Sequence, residues 1–165
     1  MVAIVTGRPG AGKTTLAPLV ASALGWPLVT RDGIKEAMLE SLGLEMAADR
    51  GLALRATEAF FEEVSRLAAL GDLVAEAAFQ HGVWSSRLAP VMAVAEVCVV
   101  LCEVPASVAL ARCAERARRD PVFAAMHPDL PVEVYEAPEL GVPLLRVSTL
   151  DGYEPGLAEI AAFLR

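Results

Sequence analysis

Short runs of apolar, mostly β-branched residues alternate along the chain with longer alanine-rich stretches whose apolar positions recur every three or four residues. The runs predict strands over 2–6, 27–30, 73–77, 96–102 and 144–148. The periodic stretches predict helices over 13–24, 33–41, 50–70, 84–93, 106–119 and 155–164, because a 3.6-residue period lines one face of a helix. Asp32, Asp49 and Ser107 stand where helix starts are expected. Helix following strand five times over implies a parallel sheet covered on both faces, a three-layer α/β fold. In such sheets ligands sit outside the carboxyl ends of the strands, so the residues that end each strand matter most. Within the 50–70 helix, Leu52, Ala56, Phe60, Val64 and Leu67 form one apolar stripe, the mark of a core-facing side. The irregular, proline-rich stretch from Pro121 to Pro143 is expected to contain a mobile cover.

The segment Gly7-Arg8-Pro9-Gly10-Ala11-Gly12-Lys13-Thr14-Thr15 fits G-x-x-x-x-G-K-[ST] between the first strand and the first helix. A triphosphate needs many donors at short range and no side chains in the way, which glycine backbone supplies. Successive N–H groups point into one concavity, and the positive end of the following helix adds its field. Gly7, Pro9, Gly10, Ala11, Gly12, Lys13, Thr14 and Thr15 are therefore the candidate nucleotide-binding residues, with Lys13 reaching the β- and γ-phosphates and Thr14 ligating Mg²⁺.

Composition narrows the partners. The 165 residues suit one domain with one core and one cleft. A net charge of −7 argues against a general nucleic-acid binder. No run reaches the ~18 uncharged apolar residues of a spanning helix, and no secretory leader is expected ahead of Val2, so the protein is expected to be cytoplasmic, without a membrane partner. Cys98, Cys102 and Cys113 read as small buried hydrophobes, and no zinc spacing occurs. The chain has no asparagine, which removes the guanine-reading N-K-x-D motif of signalling GTPases.

Other candidates lie at the strand ends and near 112–119. Asp32 follows the second strand in Thr30-Arg31-Asp32; a carboxylate there accepts the proton of an attacking hydroxyl, or serves only as a cap. Arg31 beside it is a candidate for substrate. Glu76 is an acid inside an apolar third strand, where an unpaired carboxylate would cost several kcal/mol, so Mg²⁺ or an ion pair is expected as its partner. Phe79, Gln80 and His81 follow at the rim, with Phe79 and His81 as substrate candidates, whereas Trp84 is expected to pack its helix. Phe60 and Phe61 would wall an apolar acceptor. Arg112 and Arg116 share one helix face, one suited to the nucleobase and the other to charge developing on the phosphates, with Arg119 a further candidate.

The phosphate loop, Thr-Arg-Asp with Gly-Ile-Lys, Val-Ala-Glu-Ala-Ala-Phe, Arg-x-x-x-Arg and the closing Arg-Val-Ser-Thr before Asp-Gly together resemble the small P-loop kinases of the AAA_33 and zeta-toxin-like group. Chloramphenicol phosphotransferase is a relative in which the order of motifs is similar. The resemblance covers nearly the whole chain and implies a P-loop NTPase of nucleoside-kinase type, with five parallel strands in the order 2-3-1-4-5 and a lid over about 112–135. It also implies Mg·ATP as donor, with GTP as the alternative, and a hydroxyl of a small molecule as acceptor. The acid matching Asp32 is the proposed base, Lys13 and Arg116 complete the catalytic set, and the arginines matching Arg112 and Arg116 belong to the lid. Relatives often have Asp where this chain has Glu76. The expected activity is phosphorylation of an antibiotic or other natural product by a monomer or homodimer. A gluconate- or shikimate-type metabolite kinase and a non-catalytic nucleotide-binding module are the alternatives.

Overall fold

The computed structural model describes residues 1–79, 81–128 and 135–165, and only the backbone of His81 and Val83. Five parallel strands, β1 (Val2–Gly7), β2 (Leu28–Thr30), β3 (Leu73–Glu76), β4 (Val97–Glu103) and β5 (Leu144–Ser148), form one sheet in the order β2-β3-β1-β4-β5. Seven helices accompany them: α1 (Lys13–Leu24), α2 (Arg31–Leu42), α3 (Arg50–Ala68), α4 (His81–Met92), α5 (Ala106–Arg119), α6 (Pro121–Met126) and α7 (Leu157–Phe163). A 3-10 turn at Leu44–Met46 separates α2 from α3.

β1 is central and fully buried, with β3 and β4 pairing along its two edges. Its side chains alternate between two cores, as the period of a strand requires. Ala3 and Val5 face the cluster that includes Leu16 and Val20 of α1, Ala109 and Cys113 of α5, and Ile160 of α7. Val2 and Ile4 face the cluster that includes Phe60 and Val64 of α3 and Leu88 and Val91 of α4. A third cluster of Leu39, Ala47, Leu52 and Met126 joins α6 to α2, the 3-10 turn and α3.

Several local expectations are corrected. Thr30, not Asp32, caps α2: its hydroxyl accepts the Gly33 N–H at 3.1 Å, which leaves Asp32 inside the first turn with its carboxylate unspent on the backbone. Asp49 caps α3, accepting from the Leu52 N–H at 2.6 Å. Ser107 does not cap α5, which follows Pro105 and has no side-chain cap. The stretch after α5 is not wholly irregular. Asp120 accepts the Phe123 N–H at 2.9 Å and Pro121 takes the first helical position, where its missing N–H costs nothing, so α6 forms there. α4 starts three residues earlier than its apolar period suggested.

Candidate active site

The phosphate loop is shaped by what lies against it. Gly10 has φ +78°, and a Cβ there would lie 2.3 Å from the Ala109 carbonyl of α5, so α5 can rest on the loop only because position 10 lacks a side chain. Gly12 adopts the left-handed conformation that opens α1. Lys13 is nearly buried, and its Nζ donates to the Arg8 carbonyl at 3.0 Å, which holds the ammonium inside the loop. The hydroxyl-bearing Thr14 and Thr15 are exposed on the first turn of α1.

Beyond β5, Thr149 joins this loop to α5. Its hydroxyl donates to the Ala11 carbonyl at 2.8 Å, while Arg112 donates to the Thr149 carbonyl at 2.8 Å, to its hydroxyl at 3.3 Å and to the Leu150 carbonyl at 3.2 Å. Arg112 and Arg116 line a recess of about 170 Å³ together with Gly10, Gly12, Thr14 and Thr15.

A larger cavity of about 270 Å³ opens at the carboxyl ends of β1, β2 and β3. Pro9, Gly10, Lys13 and Thr14 border it on one side, Arg31, Asp32 and Glu76 on another, and Trp84, Arg116, Phe123 and His127 on the rest. Two side chains flank the Asp32 carboxylate, one of them hydrogen-bonded to it. Arg31 Nη1 donates to Oδ1 at 3.0 Å, and His127 Nε2 lies 3.3 Å from Oδ2. Burial by itself would raise the Asp32 carboxyl; His127 and then Arg31 outweigh it and hold it well below the usual carboxylate range. Arg31 also donates to the Ala53 carbonyl at 3.4 Å.

Glu76 is 4% exposed and has neither a hydrogen bond nor an ion pair among the described residues. Burial pushes its carboxyl up to about 7, against the pull of Lys13, while Asp32 adds to the rise and Arg116 opposes it. Arg116 lies with its guanidinium 4.2 Å from the centre of the Phe123 ring and its Nε 3.4 Å from Asp120 Oδ2. Phe123 in turn packs on His127, ring centres 4.8 Å apart.

The structure therefore brings Lys13, Thr14, Arg31, Asp32, Glu76 and Arg116 to one cavity and keeps three predicted residues away from it. Phe60 and Phe79 are wholly buried, their rings 5.9 Å apart in the core between α3 and the sheet, so neither faces a substrate. Their apolar surface gains more from that core than from a half-wet wall. Arg119 is three-quarters exposed, pairs with Glu115 and lines neither recess: it shares a helix side with Arg112 and Arg116 but is the last residue of α5, beyond the reach of either recess. Gln80, the His81 side chain and residues 129–134 of the expected lid lie outside the described part of the chain. Trp84, Phe123 and His127 line the cavity and escaped sequence reasoning. Trp84 reaches the cavity as well as packing on Phe61 and Phe79. His127, at the end of α6, is one of only two histidines, and that scarcity was the sole signal pointing to it.

Among the described residues no group of three or more His, Cys, Asp or Glu could cage a metal ion. A magnesium site needs no such group, since Mg²⁺ usually keeps several waters and takes one or two protein oxygens beside the substrate phosphates. The partnerless Glu76 carboxylate and the exposed Thr14 hydroxyl border the same cavity and fit that donor set.

A family model described as "AAA domain" (AAA_33) matches residues 2–130. No curated protein sequence matches the chain. Among solved structures it is similar to a suspected kinase from Chloroflexus aurantiacus, with a TM-score of 0.84 and 24% identity over 99% of this chain and 96% of that one. A gluconokinase from Sinorhizobium meliloti superposes with a TM-score of 0.61 and 19% identity, covering 98% of this chain and 87% of that one. The Mycobacterium tuberculosis APS kinase CysC, solved with AMPPNP and APS, gives 0.58 and 18%, covering 99% and 96%. The shared fold is that of P-loop kinases.

Proposed function

The chain belongs to the AAA_33 family, and on that premise we propose that it transfers the γ-phosphoryl group of ATP to a hydroxyl of a small, polar metabolite. The observation that supports this most is the meeting of Lys13 and Thr14 with Asp32 across one cavity. Lys13, released from the Arg8 carbonyl, would bind the β- and γ-phosphates. Thr14 and Glu76 would hold Mg²⁺, which when bound supplies charge neutralisation on the transferring group. Asp32, held by Arg31, would keep the acceptor oxygen in line and accept its proton only as the bond to phosphorus forms, since a carboxyl held so low is too weak a base to take it beforehand. Arg116 faces both recesses and would offset charge developing between donor and acceptor, with Arg112 beside the nucleotide. Most of the rate would come from placement and charge compensation rather than covalent chemistry.

An antibiotic acceptor, the finer expectation, had its support in Phe60 and Phe61 as an apolar wall. Both rings are buried in the core, and the cavity is instead lined by Arg31, Asp32, Glu76, Arg116 and His127. A volume of about 270 Å³ that must also admit the γ-phosphate favours a compact hydroxylated metabolite, of which gluconate- and shikimate-type acids are examples. The enzyme would act in the cytoplasm as a single kinase domain, monomeric or dimeric, with the region of about 112–135 as its lid. The described residues contain no helix long and apolar enough to cross a membrane.

The test is a mass-spectrometric screen of hydroxylated metabolites and antibiotics with Mg·ATP, looking for the gain of one phosphate. Asp32→Asn is expected to abolish that gain while leaving calorimetric ATP binding intact. Tight ATP binding with no phosphorylated product from any acceptor would favour a nucleotide-binding module instead.

A further inference from the structure

Two buried groups on the acceptor side take no part in phosphate binding. Lys35 on α2 is 2% exposed, and its ammonium donates to the Ala47 carbonyl at 2.5 Å and to the Met126 carbonyl at 3.4 Å, with no carboxylate in ion-pair range among the described residues. Burial draws the Lys35 amine down, Arg31 adds to that, and Asp32 and Asp49 oppose it. A lysine with a four-carbon stem ordinarily carries its charge out to water, so burying it against backbone carbonyls alone costs stability. What the arrangement secures is position: Ala47 follows the 3-10 turn, and Met126 is the last residue of α6. The next residue is His127, whose imidazole packs on Phe123 and places Nε2 3.3 Å from Asp32 Oδ2.

We infer that His127 is a positioning residue which the lid carries to Asp32, and that Lys35, through the Met126 carbonyl, sets the lid where the two meet. The inference rests on the reading of Asp32 as the partner of the acceptor hydroxyl. Arg31 holds Oδ1 by a hydrogen bond, and His127 Nε2, buried and without a hydrogen-bond partner, lies 3.3 Å from Oδ2, within reach of becoming its donor. With the lid displaced, that second donor is gone and the carboxylate can rotate. A base aligned only under a closed lid restricts transfer to the state from which bulk water is excluded.

Two measurements test this. The chain has only two histidines, so in ring-¹⁵N-labelled protein with Mg·AMPPNP, His127→Gln assigns the imidazole signals. The His127 signal is expected to show the Nε2–H tautomer and to shift in both Asp32→Asn and Lys35→Met; superposition of both variants on the wild type overturns the inference. In the second, hydrolysis of Mg·ATP, with water as acceptor, is followed at steady state. His127→Ala is expected to lower kcat at least about tenfold with KM for ATP unchanged within about twofold, and His127→Gln, which keeps a donor, to recover part of the loss. Lys35→Met should lose a similar factor, Lys35→Arg should restore it, and the Lys35→Met/His127→Ala double variant should be no slower than the slower single variant. Rates near wild type, or fully additive losses, overturn the inference. Should Lys35→Met fail to fold, the Asp32→Asn spectrum and the His127 rates decide. Absence of ATP binding by the wild type counts instead against the proposed phosphotransfer, and leaves the imidazole comparison, run without nucleotide, to decide this one.

Discussion

Replacing Glu76 by Gln should stabilise the nucleotide- and metal-free protein, by an amount that grows with pH. The carboxyl is 4% exposed, with no hydrogen bond or ion pair to a described residue, and burial lifts it from the ordinary 4.5 to about 7. A carboxyl that titrates higher in the folded state than in the unfolded chain binds more protons when folded. Stability is therefore highest below 4.5, declines as pH rises towards 7, and levels off above it. Each pH unit in that window is worth about 1.4 kcal/mol, so by pH 8 ionised Glu76 costs about 3 kcal/mol, a large share of a typical folding free energy. Glutamine keeps the shape and cannot ionise. Urea unfolding of both proteins in EDTA at pH 5 and pH 8 should show the stability difference between variant and wild type rising by about 2–3 kcal/mol between the two. Saturating Mg·ATP should reverse the order at pH 8, because only the carboxylate can compensate the metal charge. A difference that stays flat with pH would refute the reasoning and mean that Glu76 finds a partner in solution.

Other predictions follow from the two recesses. Arg116→Ala should slow phosphoryl transfer by two to three orders of magnitude, on the scale of a lost charge-stabilising donor; Arg119→Ala, exposed at the end of α5, should leave turnover unchanged and stability within about 0.5 kcal/mol. Steady-state kinetics and thermal melts on the pair distinguish the two arginines. Phe60→Ala should destabilise by about 3–5 kcal/mol, since the ring is fully buried, whereas Trp84→Ala should raise KM for the acceptor and leave KM for ATP unchanged. Thr149→Val removes a hydroxyl that donates to Ala11 and accepts from Arg112, at a cost of about 1–3 kcal/mol if the Ala11 carbonyl stays unpaired. Its signature should be weaker ATP binding by calorimetry, with the loop between β1 and α1 exchanging amide hydrogens faster.

The elements that set the cavity's floor were legible because each is local. The phosphate loop is nine contiguous residues joining a strand to a helix, Asp32 comes two residues after β2 and Glu76 ends β3. Strand ends in a parallel sheet point one way, so reading the strands was enough to place these groups near one another. Arg112 and Arg116 were legible for a similar reason, being one helical turn apart.

What the sequence could not settle was which side of an element meets which neighbour. Phe60 and Phe61 read as a wall for an apolar acceptor on an otherwise core-facing helix and Phe79 as a substrate contact, and only the packing of α3 on the sheet put all three inside. Asp32 read as a possible cap of α2, and the turn geometry gave that place to Thr30, which left Asp32 free for the cavity. His127 stands 95 residues from Asp32 in a stretch with no strong period, and it reaches the carboxylate because α6 docks on α2 and the 3-10 turn through Met126 and Lys35. The chain by itself thus determined the sheet, the loop and the charges at its rim, since these follow from spacing and period along a few neighbouring residues. The tertiary structure alone decided which aromatic rings reach the cavity and which imidazole meets the base, because those contacts depend on how segments far apart in the chain share one limited apolar surface.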